Sequence, residues 1–127
     1  MGMTPNIFKV MPHSPIVLEG YLTFSATLSK GTLSAQDREQ IALTVAGFNH
    51  CEYCASAHTA LATKAGVSSE ETKKNLHGTS DSPRTTALIK FVLAILKTKG
   101  NITNDELAAL RTAKFTDEQV VEIVAII

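Results

Sequence analysis

The chain lacks most of what would send it to a nucleic acid or a membrane. In its 127 residues, twelve Lys and Arg balance twelve Asp and Glu, and charged residues make up only 19%. Without an excess of one sign there is no electrostatic footprint for a phosphate backbone, so no nucleic-acid partner is expected. Long hydrophobic runs are missing as well. The longest, Phe91 to Leu96, is six residues, against the roughly 20 a spanning helix needs, so no membrane role is expected. At 44% apolar content the chain is also unlike a disordered segment, which is poor in apolar residues and rich in charge. No linker or low-complexity stretch divides it and no segment repeats another, so residues 1–127 read as a single domain. Residues 1–10 hold one lysine and no long apolar core, so a cleaved leader is not expected and the reading is cytoplasmic. Structural disulfides are rare in that compartment, which gives weight to the chain's two cysteines, Cys51 and Cys54.

Strand signals are nearly absent, whereas helix punctuation is legible throughout. Ser14-Pro15 reads as a cap with proline at the first helical position, and Lys30-Gly31 closes that segment. Ser34 with Asp37 opens the run Ala35 to Phe48, and Ser68 with Glu71 forms a capping box before Thr72 to Leu76, stopped by Gly78. Ser82-Pro83 and Lys99-Gly100 bracket another helix, while Thr103 with Glu106 and Thr116 with Gln119 start the last two. The expected fold is all-α, a compact domain of about six or seven helices. Leu88, Phe91, Val92 and Ile95 form an amphipathic stripe, but Leu93, Ala94 and Leu96 widen it. Ile41 to Phe48 and Val120 to Ile127 are apolar most of the way round, so part of this surface is expected to be covered by another subunit.

The stretch that carries chemistry is Asn49-His50-Cys51-Glu52-Tyr53-Cys54-Ala55-Ser56-Ala57-His58. The chain turns after Phe48, and from about Cys51 to Lys64 it favours helix. A cap at Asn49 or His50 puts Cys51 in the first turn, where unpaired N–H groups and the helix dipole favour a thiolate. Two cysteines three apart on a helix share a side and can form a disulfide, and His58 lies one turn below Cys54. If two antiparallel helices fold about Phe48-Asn49, Glu39 and His58 stand nine positions either side and face each other. A carboxylate there fixes the histidine tautomer and raises its basicity, so that Glu39, His58, Cys54 and Cys51 form a proton relay ending in a redox dithiol.

This spacing resembles a known signature. Glu39, eleven residues, Cys51, two residues, Cys54, three residues and His58 are similar to the core motif of AhpD-like alkylhydroperoxidases, in the carboxymuconolactone decarboxylase family. The resemblance is strong over Ser34 to Gly66. It implies an all-α cysteine peroxidase with antioxidant activity, acting on a hydroperoxide and assembled as a homo-oligomer, trimer or hexamer. It also implies no bound cofactor or metal, and an external dithiol reductant protein, with a lipoyl-bearing one as the natural choice. Family members with decarboxylase activity lack the cysteine pair. The resemblance departs at Tyr53, where well-studied members carry a second histidine. Tyr53 keeps a supporting role, since it donates a hydrogen bond, but near pH 7 it does not shuttle protons as imidazole does. Helix position favours Cys51 as the low-pKa thiol and nearness to His58 favours Cys54, while the resemblance assigns the sulfenic acid to Cys54.

Three other readings use the same residues. Cys51, Cys54, His58 and Glu39 are competent zinc ligands, although structural zinc sites usually draw ligands from separate segments. A thiol-disulfide exchanger needs the same dithiol without a peroxide. A non-enzymatic redox-sensing oligomer needs only that the dithiol report oxidation. His13, His50 and His77 read as surface or cap residues.

Overall fold

The computed structural model describes residues 4–127, so the first three positions of the segment read as leaderless lie outside it. Every regular element among the described residues is helical, eight α-helices and one 3-10 turn. The seven helices that the sequence punctuates are all present. The eighth is α1 (Ile7–Val10), four residues with no side-chain cap to announce it. No helix among the described residues is long and apolar enough to cross a membrane. The chain divides into two compact units, the first ending at Gly31 and the second spanning Thr32–Ile127.

The first unit runs from α1 through the 3-10 turn Met11–His13 into α2 (Pro15–Leu28). Ser14 is extended, and Pro15 takes the first helical position, where its missing N–H costs nothing. The Phe8 and Tyr21 rings stand 6.1 Å apart and tilted. No residue of α2 is buried, and Ile16, Val17, Tyr21, Leu22 and Phe24 are exposed.

The second unit holds α3 (Ala35–Phe48), α4 (Glu52–Lys64), α5 (Ser69–Leu76), α6 (Pro83–Thr98), α7 (Asn104–Thr112) and α8 (Asp117–Ile126). Helix α3 is its axis and packs against α4, α5, α6 and α8. Within the run Ile41 to Phe48, Ile41, Leu43, Thr44 and Ala46 are buried within the chain, while Phe48 at its end is exposed. Leu88, Phe91 and Val92 of the α6 stripe join Ile41, Leu110, Phe115 and Ile123 in the main core, and a smaller core gathers Leu43, Ala62 and Val67.

Capping chemistry sets the boundaries. Ser34, Thr103 and Thr116 each form a reciprocal capping box with the residue three positions on. At Ser68 only half the expected box forms. Its hydroxyl accepts the Glu71 N–H at 3.1 Å, but the Glu71 carboxylate turns away to accept from Asn75, Ser80 and the Asp81 N–H. Burial raises the Glu71 pKa, yet those hydrogen bonds outweigh it and hold the carboxyl below its ordinary 4.5.

Two polar ties hold α3. Asp37, 4% exposed, takes both Arg84 guanidinium nitrogens at 2.6 and 3.2 Å, and Arg84 lies 4.0 Å over the Phe115 ring. Across 90 residues of sequence, the Glu122 carboxylate of α8 accepts the Thr32 N–H at 2.8 Å and the Leu33 N–H at 2.9 Å. The backbone donor of Thr32 is the main reason the Glu122 pKa lies below 4.5.

Candidate active site

The site begins where α3 ends. His50 takes a left-handed backbone, φ 52°, and donates its N–H to the Gly47 carbonyl at 3.2 Å. The Cys51 N–H reaches the Ala46 carbonyl at 3.0 Å. These two bonds are the Schellman pattern of a helix C-terminus, with His50 at the left-handed position usually given to glycine. Cys51 therefore completes the end of α3 and at once begins α4. It is the N-cap of α4, one or two positions later than the cap expected at Asn49 or His50, with its sulfur accepting the Cys54 N–H at 3.2 Å. The expected cap residues fall elsewhere, Asn49 as the C-cap of α3 and His50 in the turn.

Cys51 and Cys54 are joined by a disulfide, their Cα atoms 5.3 Å apart. Further along α4, His58 Nδ1 lies 2.8 Å from Glu39 Oε2 of α3, with both side chains partly exposed. A carboxylate accepts, so Nδ1 is the donor, and in the neutral ring this leaves Nε2 as the acceptor nitrogen. The four residues read as a relay thus come together on one helix pair. Tyr53 stands largely exposed on the first turn of α4.

Cys51, Cys54 and His58 line one cavity of about 140 Å³, together with Ala42, Val45, Ala46, Asn49 and Ile126. The sequence reading missed those last five. Ala42, Val45, Ala46 and Asn49 follow the i, i+3, i+4, i+7 rule on the face of α3 that carries Glu39, so a helical wheel was enough to find them. Ile126 comes from α8 and has no local signal. Three larger concavities, about 570, 630 and 560 Å³, have no cysteine in their walls. The second is bordered by His50, His77 and Lys97, near the C-terminal ends of α3, α5 and α6, and the Lys97 ammonium suits the dipole of α6 there. His77 itself donates from Nδ1 to the Lys73 carbonyl at 2.7 Å. Among the described residues, no group of three or more His, Cys, Asp or Glu is arranged to hold a metal ion.

The sequence model of the carboxymuconolactone decarboxylase family matches residues 15–78, half of the chain, including the whole of Glu39 to His58. The chain belongs to that family. It is an AhpD-like member, and its fold has close parallels among solved structures. One is an uncharacterized peroxidase-related protein from Ralstonia eutropha JMP134, described as an alkylhydroperoxidase AhpD core. It is 28% identical with a TM-score of 0.89, over 98% of this chain and 68% of that one. Another, an uncharacterized peroxidase-related protein from Silicibacter sp. TM1040, is 21% identical with a TM-score of 0.88, over 99% of this chain and 69% of that one, and bears on the fold alone. No curated protein matches the chain.

Proposed function

We propose that this AhpD-like protein is a dithiol peroxidase that reduces organic hydroperoxides at Cys54. The observation that carries the reading is a redox-capable cysteine pair and a carboxylate-oriented imidazole bordering one cavity. A cysteine pair alone serves disulfide exchange equally well. A histidine with its Nδ1–H committed to Glu39 adds a proton acceptor at Nε2, which peroxide chemistry uses twice.

In the reduced protein, His58 Nε2 takes the Cys54 thiol proton. The thiolate attacks the terminal peroxide oxygen, the O–O bond breaks, and the alkoxide leaves as an alcohol with the proton returned by His58. Cys54 is left as a sulfenic acid. Cys51, its charge favoured by the α4 N-terminus, attacks that sulfur, forms the disulfide and releases water. An external dithiol, for which a lipoyl-bearing protein is our proposal, reopens the disulfide and is itself oxidised to one. Tyr53 has a supporting role beside Cys54. Assembly as a homo-oligomer, trimer or hexamer, belongs to the same proposal. In the first unit the exposed apolar residues of α2, and in the second Val121 and Val124 of α8, are surfaces it would cover.

The test is peroxide consumed per subunit with dithiothreitol or dihydrolipoamide present. Many turnovers are expected for the parent, none for Cys54→Ser, and no cycling for Cys51→Ser. His58→Ala or Glu39→Ala should slow the rate, His58→Ala by about 10²–10⁴-fold. A Cys54→Ser variant as active as the parent ends the mechanism. No turnover by the parent returns the protein to disulfide exchange or redox sensing.

A further inference from the structure

We infer that Ile126 is a specificity-determining residue that restricts the site to hydroperoxides of small, uncharged alkyl groups. The inference rests on the peroxidase reading and adds to it the shape of the substrate. Helix α4 supplies the reactive lining of the cavity, Cys51, Cys54 and His58. Helices α3 and α8 supply the apolar lining, Ala42, Val45, Ala46 and Ile126, with Asn49 as the one further polar residue. At about 140 Å³ the space is well under the several hundred that a drug-sized ligand occupies. It is close to the roughly 150 Å³ apolar cavity that takes a benzene molecule. With the disulfide closed the cleft has room for an alkyl group of about that size against its apolar wall, and burial of that apolar surface favours binding over hydrogen peroxide once the thiols are free. No Lys or Arg lines the cavity, and the charge next to it is the Glu39 carboxylate on His58. A substrate bearing its own carboxylate thus finds no cation to pair with there.

Ile126 is the largest of these apolar side chains and the one contributed from outside the α3–α4 pair. Its position is held from one turn earlier in α8, because Glu122 grips the Thr32 and Leu33 N–H groups. Helix α8 thereby forms one wall of the cavity.

The experiment reads loss of free thiols in the reduced protein, as second-order rates with hydrogen peroxide, tert-butyl hydroperoxide, cumene hydroperoxide and linoleic acid hydroperoxide. In the parent, tert-butyl hydroperoxide should react fastest and linoleic acid hydroperoxide slowest of the organic three. Ile126→Ala should raise the cumene to tert-butyl ratio about tenfold, the low end of what methylene-scale pocket changes achieve. Ile126→Val should move it the same way by less, which covers a poorly folded alanine variant. Circular dichroism identifies such a variant. Ratios equal to the parent's in both variants, or a parent that prefers linoleic acid hydroperoxide, overturn the inference and leave the peroxidase reading standing. Thiols untouched by all four peroxides overturn both.

Discussion

His50 shows how much of the site depends on one backbone conformation. Its left-handed φ of 52° costs a residue with a Cβ about 1–2 kcal/mol relative to the right-handed region. That conformation lets consecutive N–H groups, of His50 and Cys51, reach back to Gly47 and Ala46, so Cys51 leaves the turn already aimed as the cap of α4. A glycine there relieves the strain and gives back part of the gain as unfolded-chain entropy. His50→Gly is expected to stabilise the fold by about 0.5–1 kcal/mol and raise Tm by a few degrees. A scanning calorimetry trace with Tm lowered would mean that the imidazole itself contributes stability through contacts the backbone argument leaves out. The sequence placed a helix start within two residues of the truth here. It erred because Asn49 and His50 have ordinary cap chemistry, while the Schellman bonds that use them depend on how α3 ends.

Helices were the most legible level, because their ends are written in local chemistry. Ser34 with Asp37, Thr103 with Glu106 and Thr116 with Gln119 are boxes that form with no help from distant residues. Glu71 followed the same pattern and broke it, since a loop carrying Ser80 and Asp81 competes for its carboxylate. Asp37 likewise reads as a cap residue, and nothing local announces its second partner, Arg84, 47 positions on. The opposition of Glu39 and His58 was legible because symmetry about a short helical turn is enough to define it. Close approach of helices is the property least visible in a sequence. Gly47 of α3 lies so near α5 that a Cβ would overlap the Leu76 carbonyl, whereas Gly20 of α2 has nothing within 4 Å. The same substitution should therefore have opposite signs. Gly47→Ala forces two backbones apart and should cost about 1–3 kcal/mol, while Gly20→Ala should gain up to about 1 kcal/mol from helix propensity. Urea midpoints of the two variants against the parent decide it, and equal shifts would refute the packing argument.

At the scale of the second unit, α8 is the closing element, and its role explains why the sequence reached the reactive residues but not the cavity around them. Glu122 is the one charged side chain in the run Val120–Ile127, and it is the anchor that joins α8 to Thr32 and Leu33, just before α3 begins. Ile126, one turn later, lines the site. The anchor titrates. Backbone donation from Thr32 holds the folded pKa of Glu122 below 4.5, and the hydrogen bonds from Ser80, Asn75 and Asp81 do the same for Glu71 against the opposing effect of burial. A carboxyl depressed in the folded state binds its proton more readily in the unfolded chain. Its contribution to stability is therefore complete above the ordinary value of 4.5 and is lost as pH falls through the folded value. Urea midpoints should stay level from about pH 7 to about pH 5 and fall steadily below about pH 4.5. Glu122→Gln keeps an acceptor for the two N–H groups but removes the titration. It should start from a lower midpoint at about pH 7 and lose less of it on acidification, with the remaining slope coming from Glu71 and other acids. A variant whose midpoint falls with pH as steeply as the parent's would show that α8 is not held through the charge on Glu122.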